Sequence, residues 1–268
     1  MPSTEKNKLL EAMSRLPAWD LIKFAALMSA AIWLLDRGTE ALGYNWQFYR
    51  AWRYLIQVRG GEWTAGPLMA GLWVTIKITL VSLVLAFAFG VLTAAFRLSH
   101  SAVARALARI YLEIVRNTPL LVQLFFLYFV LSPILGIHRW TSAILALSLF
   151  EGAYASEIVR AGILSIGRGQ WEAADSLGFG KMAAYRYVIL PQALRRMLPP
   201  LTSQAISLIK DSALVSTIAI YDLTMRGQAV IAETYLTFEI WFIVAALYLL
   251  ITVSLSIGVN FLENRLRM

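Results

Sequence analysis

The amino-acid sequence predicts an all-α membrane protein with about six transmembrane helices, and three observations support this prediction. The chain has 268 residues, of which 59% are hydrophobic and only 15% are charged, and its mean hydropathy is +0.65. Such a composition is too apolar for a soluble domain. Apolar stretches close to the roughly 20 residues that cross a bilayer recur along the chain. Lys and Arg concentrate in alternate connections, as the positive-inside rule predicts.

Six apolar stretches are candidate spans. They cover approximately residues 21–35, 68–96, 120–137, 140–163, 200–221 and 237–261. The first stretch is short and contains Lys23, whose ammonium group can reach the interface along its flexible stem. This division predicts a multi-pass chain with both termini in the cytoplasm.

The segments on either side of the first span carry different expectations. The charged start of the chain, MPSTEKNKLLEAMSR, has no cleavage site after its apolar stretch, so we expect a retained cytoplasmic tail rather than a signal peptide. After the span, residues 36–66 include GYNWQFYRAWRYLIQ, which is rich in Trp and Tyr. That stretch predicts an amphipathic helix at the outer interface.

The net charge and the numbers of Cys and His residues argue against several kinds of site. The net charge is +8, but no basic-aromatic module accompanies it, so it indicates membrane topology rather than a nucleic-acid partner. Cys is absent, and the two histidines, His100 and His138, lie far apart. We therefore predict no disulfide, no metal site and no catalytic group. A membrane-embedded enzyme would need a nucleophile, base or metal, and the sequence shows none.

Residues 172–191, EAADSLGFGKMAAYRYVILP, are charged and rich in glycine although they connect two predicted spans on the cytoplasmic side. Apolar residues recur at helical spacing from Trp171 to Leu177, and Gly178 interrupts them. A second apolar face begins at Met182. An apolar face outside the bilayer needs a partner, so we expect a docking segment within a loop of about 164–198, with a plain solvated connection as the alternative.

This segment resembles the EAA loop of ABC importer permease subunits. The matching residues are Glu172, Ala173, Ala174, Gly178, Leu190 and Pro191, with Val188 where Ile is usual. Four further stretches, GLWVTIKITLVSLVLAFAFG, YLEIVRNTPLLVQLFFLYF, AYASEIVRAGILSI and IKDSALVS, are similar to membrane subunits of polar amino-acid importers of the histidine, glutamine and glutamate type. The resemblance implies a five-helix importer domain over 66–268. Residues 1–65 would add the tail, one further helix and the outer amphipathic segment.

The resemblance also implies partners and a mechanism. The loop would form a coupling helix that docks on a cytoplasmic ABC ATPase dimer, whose closure moves the membrane helices. A second permease copy or a related permease, an extracytoplasmic amino-acid-binding protein and the bacterial inner membrane would complete the assembly. ATP and Mg would bind the ATPase and no cofactor would bind this chain. Gly180-Lys181 does not make a phosphate loop, because Met182 stands where Ser or Thr is needed.

The residue types of the coupling loop suit such a role. Glu172 can interact with the start of its own helix and with a basic residue of the ATPase. Ala173 and Ala174 permit close packing against a partner. Gly178 allows a sharp turn, and Pro191 is expected to end the segment before the chain re-enters the membrane.

Polar residues inside the predicted spans are candidates for a substrate path. They are Glu151 in the fourth span and Gln204, Lys210 and Asp211 in the fifth. Glu151 has no charged partner at helical spacing in its own helix, so it either attracts a substrate ammonium or hydrogen-bonds a neighbour. Lys210 and Asp211 are adjacent and point to different sides of a helix, so each either pairs with another helix or takes part in transport.

Glu157 and Arg160 are spaced i, i+3 and are expected to pair with each other or to close an inner gate. The neutral Gln204, at a position that the resemblance associates with specificity, and the stretch FEGAYASEI favour glutamate, aspartate, glutamine or asparagine as substrate. The alternative function is an ion-coupled secondary amino-acid transporter. Such a carrier has no need of an ATPase-docking helix.

Overall fold

A computed structural model describes residues 18–41, 43–59 and 61–266. The predicted cytoplasmic tail falls within residues 1–17 and lies outside the described residues. The chain divides into two compact units, and the division falls between Phe48 and Tyr49. Helix α1 (Ala18–Ala41) forms most of the first unit and contains the predicted first span, with most of its large apolar side chains exposed.

The segment before the bundle is not the long amphipathic helix that the sequence predicted. Its elements are α2 (Phe48–Ala51), a 3₁₀ turn (Trp52–Tyr54), β1 (Ile56–Arg59) and β2 (Glu62–Ala65). The two strands pair antiparallel, with Arg59 opposite Glu62. Gly61 has a φ of 87°, a conformation that glycine adopts without steric cost and that a tight hairpin turn requires. The hairpin therefore follows the aromatic-rich stretch, whose residues from Phe48 to Tyr54 lie in α2 and the 3₁₀ turn.

The rest of the chain is helical. Its elements are α3 (Pro67–Leu98), α4 (Ala102–Arg116), α5 (Leu120–Phe125), a π-helical turn (Phe126–Leu131), α6 (Ser132–Leu135), α7 (Arg139–Leu164), α8 (Arg168–Ser176), α9 (Lys181–Ala184), a second π-helical turn (Tyr185–Ile189), α10 (Leu190–Asp211), a 3₁₀ segment (Ser212–Ile218), α11 (Leu223–Thr234) and α12 (Thr237–Leu266). The predicted all-α membrane fold is therefore confirmed, with one small hairpin added.

Three helices of the described residues are long and apolar enough to cross a membrane: α3, α7 and α12 over Thr237–Val259. They coincide with the second, fourth and sixth predicted spans. The helices Ala102–Arg116 and Leu120–Leu135 also pass together, but they are bent by 105° at the break between them. The third predicted span is the second arm of this bent pair. The total of about six spans stays a prediction.

The fifth predicted span differs from the observed helix. The sequence placed its start at the proline pair, whereas α10 begins at Leu190 and contains Pro199 and Pro200 in its interior. Thr202 Oγ1 donates to the carbonyl oxygens of Leu198 and Pro199, at 2.9 and 2.7 Å, in this interrupted turn. The prolines lack the N–H groups that would bond the carbonyls of Arg195 and Arg196, and the helix nevertheless continues through both of them.

Small residues allow α3 and α7 to pack closely. A Cβ added at Gly90 would lie 2.8 Å from the Cβ of Ala155, closer than real side chains approach. Gly152 faces α3 in the same way, with an added Cβ 3.2 Å from the carbonyl oxygen of Ala86. Small residues let the backbones of membrane helices approach closely, and the van der Waals contacts between the backbones then hold the helices together. The two helices thus form a fixed framework on which α10 packs.

Candidate functional site

Helix α8 carries the Glu-Ala-Ala residues and has one buried and one open face. Ala174 is buried and Trp171 is half-buried, whereas Glu172 and Ala173 are exposed. The carboxylate of Glu172 is 3.2 Å from Nε of Arg168, one turn earlier, rather than at the cap of the helix. Both side chains are largely exposed, so this ion pair adds little stability. The face bearing Glu172 and Ala173 is available to a partner.

Gly178 ends α8 through its backbone conformation. Its φ is 78°, its N–H donates to the carbonyl of Asp175 at 3.0 Å, and the N–H of Phe179 donates to the carbonyl of Ala174 at 3.1 Å. This pair of hydrogen bonds is the Schellman motif, which needs a left-handed residue after the helix. A Cβ added at Gly178 meets nothing within 4 Å. The requirement for glycine here therefore comes from the turn and not from packing.

Pro191 does not end the segment as predicted, because the chain runs through it into α10. It occupies the first turn of that helix, where a missing N–H is tolerated. In a regular helix its N–H would bond the carbonyl of Tyr187, and the absence of that donor accompanies the π-helical turn over Tyr185–Ile189. Gln192 Nε2 donates to the carbonyl of Val188 at 2.8 Å. Leu190 and Pro191 thus join the loop rigidly to α10.

Three contacts connect α8 and its flanking residues to the ends of α7 and α10. Gln192 Nε2 donates to Gln170 Oε1 at 3.0 Å, and Arg196 Nη1 donates to the carbonyl of Ser165 at 2.5 Å. The rings of Trp171 and Tyr185 meet edge to face, with centroids 4.8 Å apart. A buried apolar cluster lies behind these contacts; it contains Ala94, Val159, Ile166, Ile189, Ala193 and Met197. These contacts hold α8 against the segment that leads into α10 and join α10 to the end of α7.

Glu151 lies inside the bundle and has its partner on another helix. It is 2% exposed, and Gln204 Nε2 on α10 donates to its Oε2 at 2.5 Å. Its other oxygen, Oε1, has no hydrogen-bond partner among the described residues. The sequence singled out both residues but contained no sign that they meet, because the contact depends on how α7 packs against α10.

A cavity of about 410 Å³ lies beside this pair. α3, α7 and α10 line it, with apolar side chains such as Leu83, Phe87 and Leu201 around the polar Glu151 and Gln204. Ligand cavities are mostly apolar with a few polar groups that orient the ligand. The cavity has this character.

Asp211 and Lys210 turn to different sides of α10, as expected. The carboxyl group of Asp211 interacts with that of Glu151, whereas Lys210 is exposed. No group of three or more His, Asp or Glu side chains that could hold a metal ion occurs in the part of the chain that the structure describes.

Glu157 is the centre of a larger network than the predicted pair. Arg160 Nη2 is 3.2 Å from its Oε2, and Arg116 Nη1 is 3.3 Å from its Oε1. Arg97 at the end of α3 also donates to Oε1. The sequence indicated only Arg160, because Arg97 and Arg116 belong to α3 and α4 and approach only in the folded chain.

A polar cluster at the start of α11 was not predicted. Asp222 is fully buried and caps α11 by accepting from the N–H of Met225 at 2.9 Å, while the hydroxyl of Tyr248 lies 3.4 Å from its other oxygen. The N–H of Leu223 donates to Thr75 Oγ1 at 3.1 Å. Burial raises the pKa of Asp222 to about 6. An Asp before an apolar helix is an N-cap signal that the sequence did contain.

Comparisons with known proteins place this geometry in a family context. Residues 86–268 match the family model described as binding-protein-dependent transport system inner membrane component. The glutamine transport system permease protein GlnP of Escherichia coli (strain K12) is 40% identical over 209 residues, covering 76% of this chain and 95% of the relative. The probable glutamine ABC transporter permease protein GlnM of Bacillus subtilis (strain 168) is 37% identical over 199 residues, covering 74% and 92%.

Solved structures show the same similarity. A chain from the crystal structure of an amino acid ABC transporter with histidines is 37% identical, with a TM-score of 0.70, and the match covers 74% of this chain and 94% of that one. An inward-facing MetNI methionine ABC transporter is 21% identical with a TM-score of 0.61, covering 74% and 95%. At that identity the second likeness concerns the fold alone.

Proposed function

Because the chain belongs to the family of binding-protein-dependent transport system inner membrane components, we propose that it imports an acidic or amide amino acid across the bacterial inner membrane. Members of this family are multi-pass permease subunits of ABC importers. The chain is accordingly a permease subunit of an amino-acid ABC importer, and ATP hydrolysis takes place on a separate subunit. The relatives named for glutamine support the amide and acidic class.

The observation that carries this proposal is the open face of α8. One side of the helix is held against the bundle through Ala174 and Trp171, and the other presents Glu172 and Ala173 to solvent. Leu177, just before the turn, and Met182, just after it, are 77% and 81% exposed. Exposed apolar side chains next to a rigid, charged helix are typical of a protein-docking surface. We propose that this surface docks on the ATPase dimer. ATP and Mg bind to the ATPase and not to this chain.

The contacts of α8 suggest how ATPase closure reaches the substrate path. Gln170 of α8 is joined to Gln192 near the start of α10, and Arg196 of α10 is joined to Ser165 at the end of α7. The helices α7 and α10 carry Glu151 and Gln204. A movement of α8 changes the relative position of α7 and α10, and thereby the cavity between them. The proposed transport cycle alternates between an inward-facing and an outward-facing form through this change.

Glu151, Gln204 and Asp211 are the proposed substrate contacts. The Oε1 of Glu151, which is buried and has no hydrogen-bond partner among the described residues, is the proposed acceptor for the ammonium group that every amino acid carries. The amide of Gln204 can donate to and accept from a side-chain amide or carboxyl group. A neutral amide at this position, instead of a third carboxylate, favours glutamine or glutamate over a cationic amino acid. Lys210, which is exposed, is assigned to contacts outside the cavity.

The proposed orientation places both termini and α8 in the cytoplasm, since Arg168, Lys181, Arg186, Arg195 and Arg196 cluster on that side. An extracytoplasmic binding protein then delivers the amino acid to the opposite face. A second permease, either another copy or a related chain, completes the membrane unit. Glu157 and Arg160 serve as the inner gate or its structural support.

The test is purification of the tagged protein from its native membrane in mild detergent, followed by mass spectrometry of the proteins that accompany it. An ABC-type ATPase and either one or two kinds of permease are expected. Glu172→Arg should remove the ATPase and leave the second permease bound. Asp175→Arg, an equal charge reversal at another exposed carboxylate of α8, is the control. If no ATPase accompanies the parent chain or either variant, the proposal is overturned.

The substrate class is tested by reconstituting the purified assembly in vesicles with its binding protein and measuring ATP-dependent uptake. Labelled glutamine and glutamate are compared with labelled arginine. Uptake of either of the first two, with arginine excluded, is expected. Preferential uptake of arginine would contradict the assignment of Gln204.

A further inference from the structure

Helix α4 has three distinct faces. Ala108, Leu112 and Val115 are buried against the bundle. A second face is apolar and exposed; it consists of Val103, Leu107, Ile110 and Ile114, each between 56% and 70% exposed. The third face is charged and consists of Arg105, Arg109, Glu113 and Arg116. A helix with an exposed apolar stripe beside a basic face is typical of segments that lie in the plane of a membrane interface.

A polar cavity of about 380 Å³ opens beside the charged face of α4. We call it the arginine pocket; its charged lining is Arg97, Arg109, Arg116, Glu113 and Glu157. Arg160 adds a fourth guanidinium group, since it contacts the same Glu157. Four guanidinium groups thus face two carboxylates, and the pocket carries an excess of positive charge.

The excess charge is not neutralised by the described part of the chain. A single carboxylate, Glu157, serves three of the arginines. The other carboxylate, Glu113, accepts from Nδ2 of Asn117 at 2.9 Å. Arg109 forms no ion pair with any described residue. The guanidinium of Arg109 is therefore available to an anion from outside the chain.

We propose that the arginine pocket binds the phosphate of an anionic phospholipid, whose acyl chains lie along the apolar stripe of α4. The planar guanidinium fork matches the oxygen spacing of a phosphate group. Basic pockets beside membrane helices on the cytoplasmic side suit anionic head groups. The stripe and the pocket lie on one short helix, so a single lipid can reach both. Under the proposed orientation, the lipid belongs to the inner leaflet.

The site has a consequence for the rest of the bundle. Glu157 belongs to α7, the same helix that carries Glu151, and it is joined to α3 and α4 only through arginines. A bound phosphate shares those arginines with Glu157 and balances their charge. The lipid thereby stabilises the junction of α3, α4 and α7, and transport is expected to depend on the anionic lipid content.

The test is native mass spectrometry of the purified protein after equilibration with phosphatidylglycerol or phosphatidylcholine, in phosphate-free buffer. Selective retention of phosphatidylglycerol is expected. Arg109→Gln should weaken that retention about tenfold, as the loss of one charge-assisted contact implies. Arg105→Gln is the matched control, because Arg105 lies on the same helix, bonds the carbonyl of Ser99 at 2.9 Å and does not line the pocket. The retention of phosphatidylglycerol by Arg105→Gln should equal that of the parent protein.

Two results would overturn the proposal. If both variants lost phosphatidylglycerol retention equally, the basic surface would attract anionic lipid in general and the pocket would not be a specific site. Displacement of phosphatidylglycerol by millimolar inorganic phosphate would mean a site for a soluble anion. The measurement uses neither ATP nor substrate, so its failure leaves the transport function intact, and failed uptake leaves the lipid site intact. Arg109 is exposed and unpaired, so its replacement should not impair folding.

Discussion

Glu151 combines two properties that rarely occur together in a membrane helix. It is almost fully buried, yet one of its oxygens is bonded to Gln204 and the other has no partner among the described residues. A buried polar atom without a partner costs free energy, so such an arrangement is retained where a ligand completes it. Among the residues that line the cavity, Glu151 is therefore the first candidate for the proposed substrate path.

Glu151→Gln should reduce uptake by raising the KM for the amino acid about tenfold or more, because an amide that bonds Gln204 through its oxygen turns an N–H donor toward the ammonium group in place of the acceptor Oε1. The amide keeps the shape and a hydrogen bond to Gln204, so protein levels should not change. Initial uptake rates in vesicles at several substrate concentrations give the KM. Glu233→Gln, at an exposed carboxylate on α11, is the control. Unchanged kinetics in Glu151→Gln would remove the residue from the path.

Asp222 supplies a pH-dependent contribution to stability. Burial raises its pKa to about 6, above the usual value of about 3.9 in an unfolded chain. The folded protein therefore holds this proton more tightly. The resulting stabilisation is complete below about pH 4 and is lost as the pH rises through about 6.

Asp222→Asn should abolish this dependence while it keeps the cap of α11, since Asn is an equally good N-cap. The Tm of the variant relative to the parent is expected to increase between pH 4.5 and 7.5, by the equivalent of at most about 3 kcal/mol. Thermal unfolding in detergent at several pH values measures the difference. A difference that stays constant with pH would contradict the assigned protonation.

At the scale of elements, α8 and the turn at Gly178 decide how the coupling segment is presented. The helix is nine residues long and is too short to be stable alone. Its shape depends on the Schellman bonds at its end and on the contacts of Gln170 and Trp171 with the following segment. A change in the turn alters the direction of the exposed residues that follow, such as Met182.

Gly178→Ala should strain the turn by about 1–2 kcal/mol, because the position has a left-handed backbone. We expect normal membrane insertion but a weaker link between substrate and ATP hydrolysis. The ratio of amino acid imported to ATP hydrolysed in reconstituted vesicles measures that link. Gly180→Ala is the control, since Gly180 has a φ of −65° and an added Cβ there also meets nothing within 4 Å. Equal ratios in the two variants would refute the role of the turn.

At the scale of the whole molecule, close packing of α3 on α7 holds the framework around the cavity. The backbone nitrogen of Ser156 would lie 3.2 Å from a Cβ at Gly90, and backbone cannot move aside as a flexible side chain can. The buried side chains Ile78, Leu124, Leu147 and Leu208 extend the same packing to α5 and α10.

Gly90→Ala should therefore lower stability by about 1–3 kcal/mol, as overpacking of a tight contact does. Gly258→Ala adds the same methyl group to α12 where nothing lies within 4 Å. The stability of Gly258→Ala should be unchanged or higher by up to about 1 kcal/mol, because alanine favours the helix. Thermal unfolding of both variants in detergent makes the comparison. Equal stability of the two would show that α3 and α7 do not restrict this position.

Local chemistry made several features predictable. The helices α3, α7 and α12 follow from apolar length alone, and the end of α8 at Gly178 follows from the conformational freedom of glycine. The resemblance of Glu172 to Pro191 to the EAA loop identified the family that the comparisons then confirmed. The proline pair misled the prediction for α10, because prolines usually begin or break a helix, whereas α10 continues through both.

The amino-acid sequence is sufficient to predict a membrane-embedded helical chain and its family, and it contains the residues of the proposed coupling segment and substrate path. Which of those residues meet depends on how the helices pack. Glu151 lies against Gln204, and Glu157 gathers Arg97 and Arg116, through the packing of helices far apart in the chain. The contacts of Asp222 with Tyr248 and of Leu223 with Thr75 are of the same kind, because they join residues of different helices. Apolar length is a property of one segment, whereas a contact depends on the relative position of two.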